Sequence, residues 1–101
     1  MVLKSASRKP FSSNDWKTTR TDQASSARLK EVDDLVRSGK LIGLSRESVQ
    51  ELLGIPDSIK PELSEYIYRL GPERNLISID EEWLVVHFRN GSVTSANIMI
   101  D

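Results

Sequence analysis

The chain has 101 residues, 38% of them hydrophobic and 29% charged, with a formal net charge of −1. This is the length of one domain with an ordinary globular composition, and it contains no apolar run of the about 18 residues that a membrane helix needs. It has no cysteine, which excludes disulfides, a thiol nucleophile and thiolate zinc sites while fitting any compartment.

The small net charge hides an uneven distribution. Residues 1–28 carry six basic side chains (Lys4, Arg8, Lys9, Lys17, Arg20, Arg28) against Asp15 and Asp22, or +4. Residues 29–101 carry eight basic against thirteen acidic, or −5. Residues 1–26 are rich in Ser, Thr, Asn, Asp and Lys and lack an apolar period. They read as a flexible basic N-terminal segment, loosely draped on a single α+β domain formed by residues 27–101. Phe11 and Trp16 stand out in this segment as aromatic anchors, for its own domain or for a partner. No signal peptide is visible, because the apolar run after Met1 is only Val2 and Leu3. Localisation is then cytoplasmic if Met1 is the native start, and the cell envelope if an export signal has been removed.

From Ser26 onward, Leu29, Val32, Leu35 and Val36 recur at helical spacing. Lys30, Glu31, Asp33, Asp34 and Arg37 fill the other face. Ser25 or Ser26 caps the start and Gly39 offers a left-handed stop. A second helix starts at the N-cap Ser45, with Glu47 in its first turn and Val49, Leu52 and Leu53 as its apolar stripe. Gly54 ends it and Pro56 prevents its resumption. The short Lys40–Leu44 connection folds the two into a helical hairpin.

After a loop around Asp57 to Pro61 the period changes to two. Tyr66, Tyr68 and Leu70 alternate with Glu65, Ile67 and Arg69 until Gly71-Pro72. Leu76, Ile77 and Ile79 offer a short strand before an acidic turn, Asp80-Glu81-Glu82. Trp83 to Arg89 is the clearest strand, and Asn90-Gly91 is a hairpin turn, since both residues tolerate positive φ. In the returning strand, Ser92 to Ile100, the apolar set changes parity, which predicts a bulge near Thr94 to Ala96. The expected fold is a two-layer α+β domain in which the helical hairpin packs on a three- or four-stranded antiparallel sheet, in ααβββ order. An exposed edge at Tyr66–Leu70 or Ser92–Ile100 would permit dimerisation by strand pairing.

Gly43-Leu44-Ser45-Arg46-Glu47-Ser48-Val49-Gln50-Glu51-Leu52-Leu53-Gly54-Ile55-Pro56-Asp57 resembles the "G-(M/L)-(S/T)-x-x-x-V-x-x-x-L-G-x-P" segment of the SmpA/OmlA (BamE-type) domain. Tyr66, Tyr68 and Leu84 to Val93 are similar to that group's tyrosine strand and C-terminal hairpin. The resemblance covers about residues 43–100 and implies a β-lactamase-inhibitor-protein-like fold. The chain departs from the lipoprotein members in having no export signal and no lipidated cysteine. It also resembles small uncharacterised proteins with a Phe11…Trp16-like aromatic segment and a "Y-x-L-G-P" turn, here Tyr68 to Pro72, which imply no activity.

The residue types give little support to catalysis. His87 is the only histidine, it shares strand parity with Trp83 and Val85, and no nucleophile motif surrounds any serine. Asp80, Glu81 and Glu82 lack the alternating oxygen ligands of a calcium loop, and Asp33 and Asp34 are adjacent rather than one helical turn apart. The glycines stand singly at caps and turns, so no phosphate loop is present. The reading is a non-enzymatic protein-interaction domain with a scaffold, assembly or inhibitor-like role, no cofactor and no metal. It would be a monomer or an edge-paired homodimer with an unidentified protein partner. Its candidate contact residues are Phe11, Trp16, Tyr66, Tyr68 and Trp83, on the sheet face or beside the helical hairpin. The alternative is weak nucleic-acid or anionic-surface binding by the basic segment, aided by Phe11 and Trp16 stacking, with +4 small beside the contacts of strong phosphate binders.

Overall fold

The computed structural model describes residues 8–19, 26–72 and 80–101. Three helices precede a four-stranded antiparallel sheet in these residues: α1 (Ser13–Thr18), α2 (Ala27–Arg37), α3 (Arg46–Leu53), β1 (Ser58–Lys60), β2 (Glu65–Pro72), β3 (Glu81–Arg89) and β4 (Ser92–Ile100). A 3-10 turn, Pro61–Leu63, links β1 to β2. The sheet runs β1-β2-β3-β4 in space as in sequence. The fold is therefore α+β, with one helix and one short strand beyond the expected ααβββ order. Among the described residues, no helix is long and apolar enough to cross a membrane.

The helices begin and end where local chemistry directs. Ser26 accepts from the Arg28 N–H at 3.2 Å, and Ser45 from the Ser48 N–H at 3.1 Å. Each cap satisfies an amide that the first helical turn leaves without a partner. Leu29, Val32 and Leu35 of α2 and Val49 and Leu53 of α3 are buried on one side of the sheet. They meet Tyr66, Tyr68, Leu70, Leu84, Val86, Phe88 and Val93 there in one core.

The segment read as loosely draped is, over residues 8–19, part of that core. Ser12 caps α1, and Trp16 is 0% exposed. The Trp16 ring lies 5.9 Å from Phe11 and 6.5 Å from Tyr68, with the Arg28 guanidinium 5.3 Å above it. Burying an indole of this size contributes on the order of 4–6 kcal/mol, which offsets part of the cost of ordering the segment. The charge of the segment is also spent at home. Arg8 pairs with Asp33 at 3.1 Å, Lys9 with Asp15 at 2.6 Å and Glu31 at 3.2 Å, and the Phe11 and Ser12 amides donate to Asp34 and Glu31. The acidic side of α2 is thus covered, and Glu31 is fully buried. The hydrogen bond to Asp15 holds the Lys9 amine above its ordinary pKa.

In the sheet, Asn90 (φ 52°) and Gly91 (φ 81°) form the two-residue turn, whose left-handed backbone matches the twist of the flanking strands. Arg89 then faces Ser92 and Phe88 faces Val93, but His87 faces Ser95. Thr94 is the extra residue of a bulge, which brings Ala96 and Ile98 onto the core side with Val93. Two expectations change. The residues read as an acidic turn open β3, with Glu82 buried. Of the edge expected at Tyr66–Leu70, Tyr66 and Ile67 are covered by β1, Ile59 facing Tyr66 and Ser58 facing Ile67, and the Arg69 N–H and C=O are met by the Asp57 and Arg28 side chains. The short strand proposed around Leu76 to Ile79 lies outside the described residues.

Candidate functional site

Alternation along β2 and β3 divides the sheet into two unlike faces. The helix-covered face carries both tyrosines, and both are buried there. Tyr68 is fully buried and donates its hydroxyl to the Gly54 carbonyl at 2.8 Å, and burial pushes that phenol above its usual pKa. Tyr66 stacks edge-on against Phe88 with ring centroids 4.8 Å apart, and its hydroxyl accepts from Gln50 Nε2 at 3.0 Å. Trp16 belongs to the same core. Phe11 is half-buried at its margin, with Lys40 Nζ 5.3 Å over its ring. Four of the five residues nominated from sequence therefore serve packing.

Trp83 is on the other face, on which no helix packs among the described residues. In its cross-strand row it stands between Arg69 and Met99. The next row toward the turn holds Ser58, Ile67, Val85 and Asn97. Ile67 (8% exposed), the half-buried Trp83 and Val85 and the 43%-exposed Met99 form an apolar centre, with Lys60, Glu65, Arg69, Glu81, His87 and Asp101 around it. An open cavity of about 200 Å³ is lined by Ser58, Lys60, Ile67, Trp83, Met99 and Asp101. That is below the roughly 300–1,000 Å³ of small-molecule sites. Beside α3, a cavity of about 560 Å³ is lined by Arg46, Glu47, Gln50, Glu51 and Tyr66. Four of its five lining residues are charged or amide side chains, unlike the mostly apolar lining usual for ligand pockets.

The charged rim is held in place from below. Arg69 donates through Nε to Glu81 Oε1 at 2.8 Å and pairs through its terminal nitrogen with Oε2. This fork holds the Glu81 carboxyl below its usual pKa. The Arg69 backbone N–H donates to Asp57 at 2.8 Å, and its carbonyl accepts from Arg28 at 2.9 Å. Arg28 thereby ties Trp16, Asp57 and the middle of β2 together.

Glu65, His87 and Ser95 share one row across three strands, the order of an acid–imidazole–hydroxyl relay. His87 Nδ1 is 3.8 Å from Glu65 Oε2, beyond hydrogen-bond reach. No side-chain hydrogen bond joins His87 to Ser95 among the described residues, and the His87 side chain is 42% exposed. Glu81 and Glu82 occupy alternate positions of one strand and point to opposite faces, so they cannot converge on one cation. Among the described residues, no group of three His, Asp or Glu side chains is placed to hold a metal ion.

Ile67, Val85 and Met99 were not nominated from sequence. Their signal was present, because Tyr66-Ile67-Tyr68 and Trp83-Leu84-Val85-Val86 are apolar at both parities. A strand covered on one face only should alternate, so consecutive apolar residues mark a second hydrophobic face. Compared with known proteins, the chain matches no family model, no curated protein and no solved structure.

Proposed function

We propose that the chain is a non-enzymatic protein-interaction domain, with a scaffold, assembly or inhibitor-like role, whose contact surface is the open sheet face around Trp83. One observation carries this reading: an apolar centre of Ile67, Trp83, Val85 and Met99 lies on the side of the sheet away from the helices, within a charged rim. A tryptophan at the middle of an apolar patch bounded by polar groups is the usual anatomy of a protein contact. Internal pairing of Arg8, Lys9 and Arg28 with carboxylates favours this over phosphate binding, since a cation already paired releases fewer counterions. Membership of the SmpA/OmlA group is likewise a proposal, resting on the Gly43–Asp57 segment and the C-terminal hairpin.

The test is crosslinked affinity capture of the tagged chain from its own cells, beside Trp83→Ala, followed by titration of the recovered protein. Loss of an anchor of this kind weakens binding by about 30-fold or more while the far-UV circular dichroism stays unchanged. Recovery of nucleic acid alone, or a protein partner held equally by Trp83→Ala, refutes the assignment of this face.

A further inference from the structure

The two edges of the sheet are protected unequally. β1 is three residues long, ends in Lys60 and is flanked by Pro56 and Pro61. Short length, a lysine and prolines are the usual means of keeping an edge from pairing. β4 runs from Ser92 to Ile100 without a charged residue or a proline. Its first residues are covered: Gly43 N–H donates to the Val93 carbonyl and Val93 N–H to the Leu44 carbonyl, both at 2.9 Å, and Ser45 bridges Ser92.

Beyond the bulge the edge is open, and its polarity follows from the ladder. Glu81 and Asp101 exchange both backbone hydrogen bonds, at 3.1 and 2.9 Å. In an antiparallel pair such doubly bonded positions alternate with positions whose groups point away. Met99, Asn97 and Ser95 therefore turn toward β3, whereas Ile100, Ile98 and Ala96 turn their N–H and C=O outward. No described backbone group bonds these three from outside. Their side chains lie on the helix side, where Ile100 is 52% exposed.

We propose that this edge pairs with β4 of a second copy of the chain, antiparallel, about a two-fold axis at Ile98. That register places Ile98 on Ile98 of the second copy, and Ala96 on its Ile100 in both directions. Three doubly bonded pairs result, and a shift of two residues either way leaves only two. The side chains are complementary in size and charge. Small Ala96 meets large Ile100, Asn97 meets the exposed Met99 on the open face, and Asp101 lies beside Ser95 rather than another acid. The four-stranded sheets join into one of eight strands, with the two Trp83 faces on the same side. This pairing does not depend on what Trp83 contacts.

The full chain is measured by light scattering and sedimentation equilibrium across a dilution series. The expected result is a mass of twice 11.4 kDa at about 100 µM, falling to the monomer mass on dilution, as for a small and weak interface. Asn97→Lys with Met99→Lys sets lysine against lysine at both open-face pairs and gives the monomer mass throughout. Asn97→Lys with Met99→Glu sets opposite charges there and restores the doubled mass. Without any variant, amide exchange at Ala96, Ile98 and Ile100 slows as concentration rises. A monomer at every concentration, a doubled mass that the lysine pair leaves intact, or exchange at these amides independent of concentration overturns the proposal.

Discussion

Replacing Trp16 by alanine tests whether the N-terminal segment is a structural member of the domain. The indole is 0% exposed and touches Phe11, Tyr68 and Arg28, so its removal opens a cavity in the middle of the core. Aromatic-to-alanine changes at such sites destabilise by about 3–5 kcal/mol. Against a total of about 5–15 kcal/mol for a domain, this is a large share, and it lowers Tm by at least about 12 °C. Trp16→Phe is the control. Trp16 Nε1 has no hydrogen-bond partner among the described residues, so phenylalanine removes bulk without stranding an acceptor. Its effect is about 1–2 kcal/mol. The assay is urea unfolding followed by circular dichroism. If the segment were only draped on the surface, both variants would fall within about 0.5 kcal/mol of the parent. That outcome would refute the reasoning, as would equal losses for alanine and phenylalanine.

Tyr68→Phe removes the hydroxyl that donates to the Gly54 carbonyl and destabilises by about 1–2 kcal/mol, read by the same unfolding curves. Burial raises the folded-state pKa of Tyr68 above its ordinary value of 10.0. The unfolded state therefore loses the proton first, so stability is full below about pH 10 and falls as pH rises beyond it. Tyr68→Phe flattens that alkaline loss, and an unchanged pH slope would contradict the burial assignment. Deleting Thr94 removes the unpaired residue and leaves Val93, Ala96 and Ile98 in regular alternation on the core face, for a change within about 1 kcal/mol. Deleting Thr94 and Ser95 together turns Ala96 and Ile98 off the core face and brings Asn97 onto it, for a loss of about 3 kcal/mol or more; similar stabilities for the two deletions would show that strand alternation does not set the register.

Some of the site was legible before the fold was known, and the reason it was not all legible is specific. Trp83 was nominated, but so were Tyr66, Tyr68, Phe11 and Trp16, because an aromatic in a sequence carries no mark of which side of a sheet it will face. Only the positions of α1, α2 and α3 show that the tyrosines and Trp16 lie under helices. Ile67 was read as a spacer between tyrosines, when its neighbours already broke the alternation. The ends of α2 and α3 were legible, whereas α1 was not read as a helix. Ser26, Ser45 and Gly54 act on backbone groups within four residues of themselves, and no distant contact is needed to place them.

The sequence by itself determined what depends on near neighbours: the caps of α2 and α3, the Asn90-Gly91 turn, and the Thr94 bulge implied by the change of apolar parity. Tertiary structure decided what depends on residues far apart in the chain. Trp16 reaches the core because Arg28 and Tyr68 form a place for it, and Glu31 is buried because residues 9–12 fold over α2. β1 forms because Ser58–Lys60, three residues with little strand propensity, finds the edge of β2. Such pairings are decided by the whole fold, since a short segment has too little local energy to choose a conformation before its partner is in place.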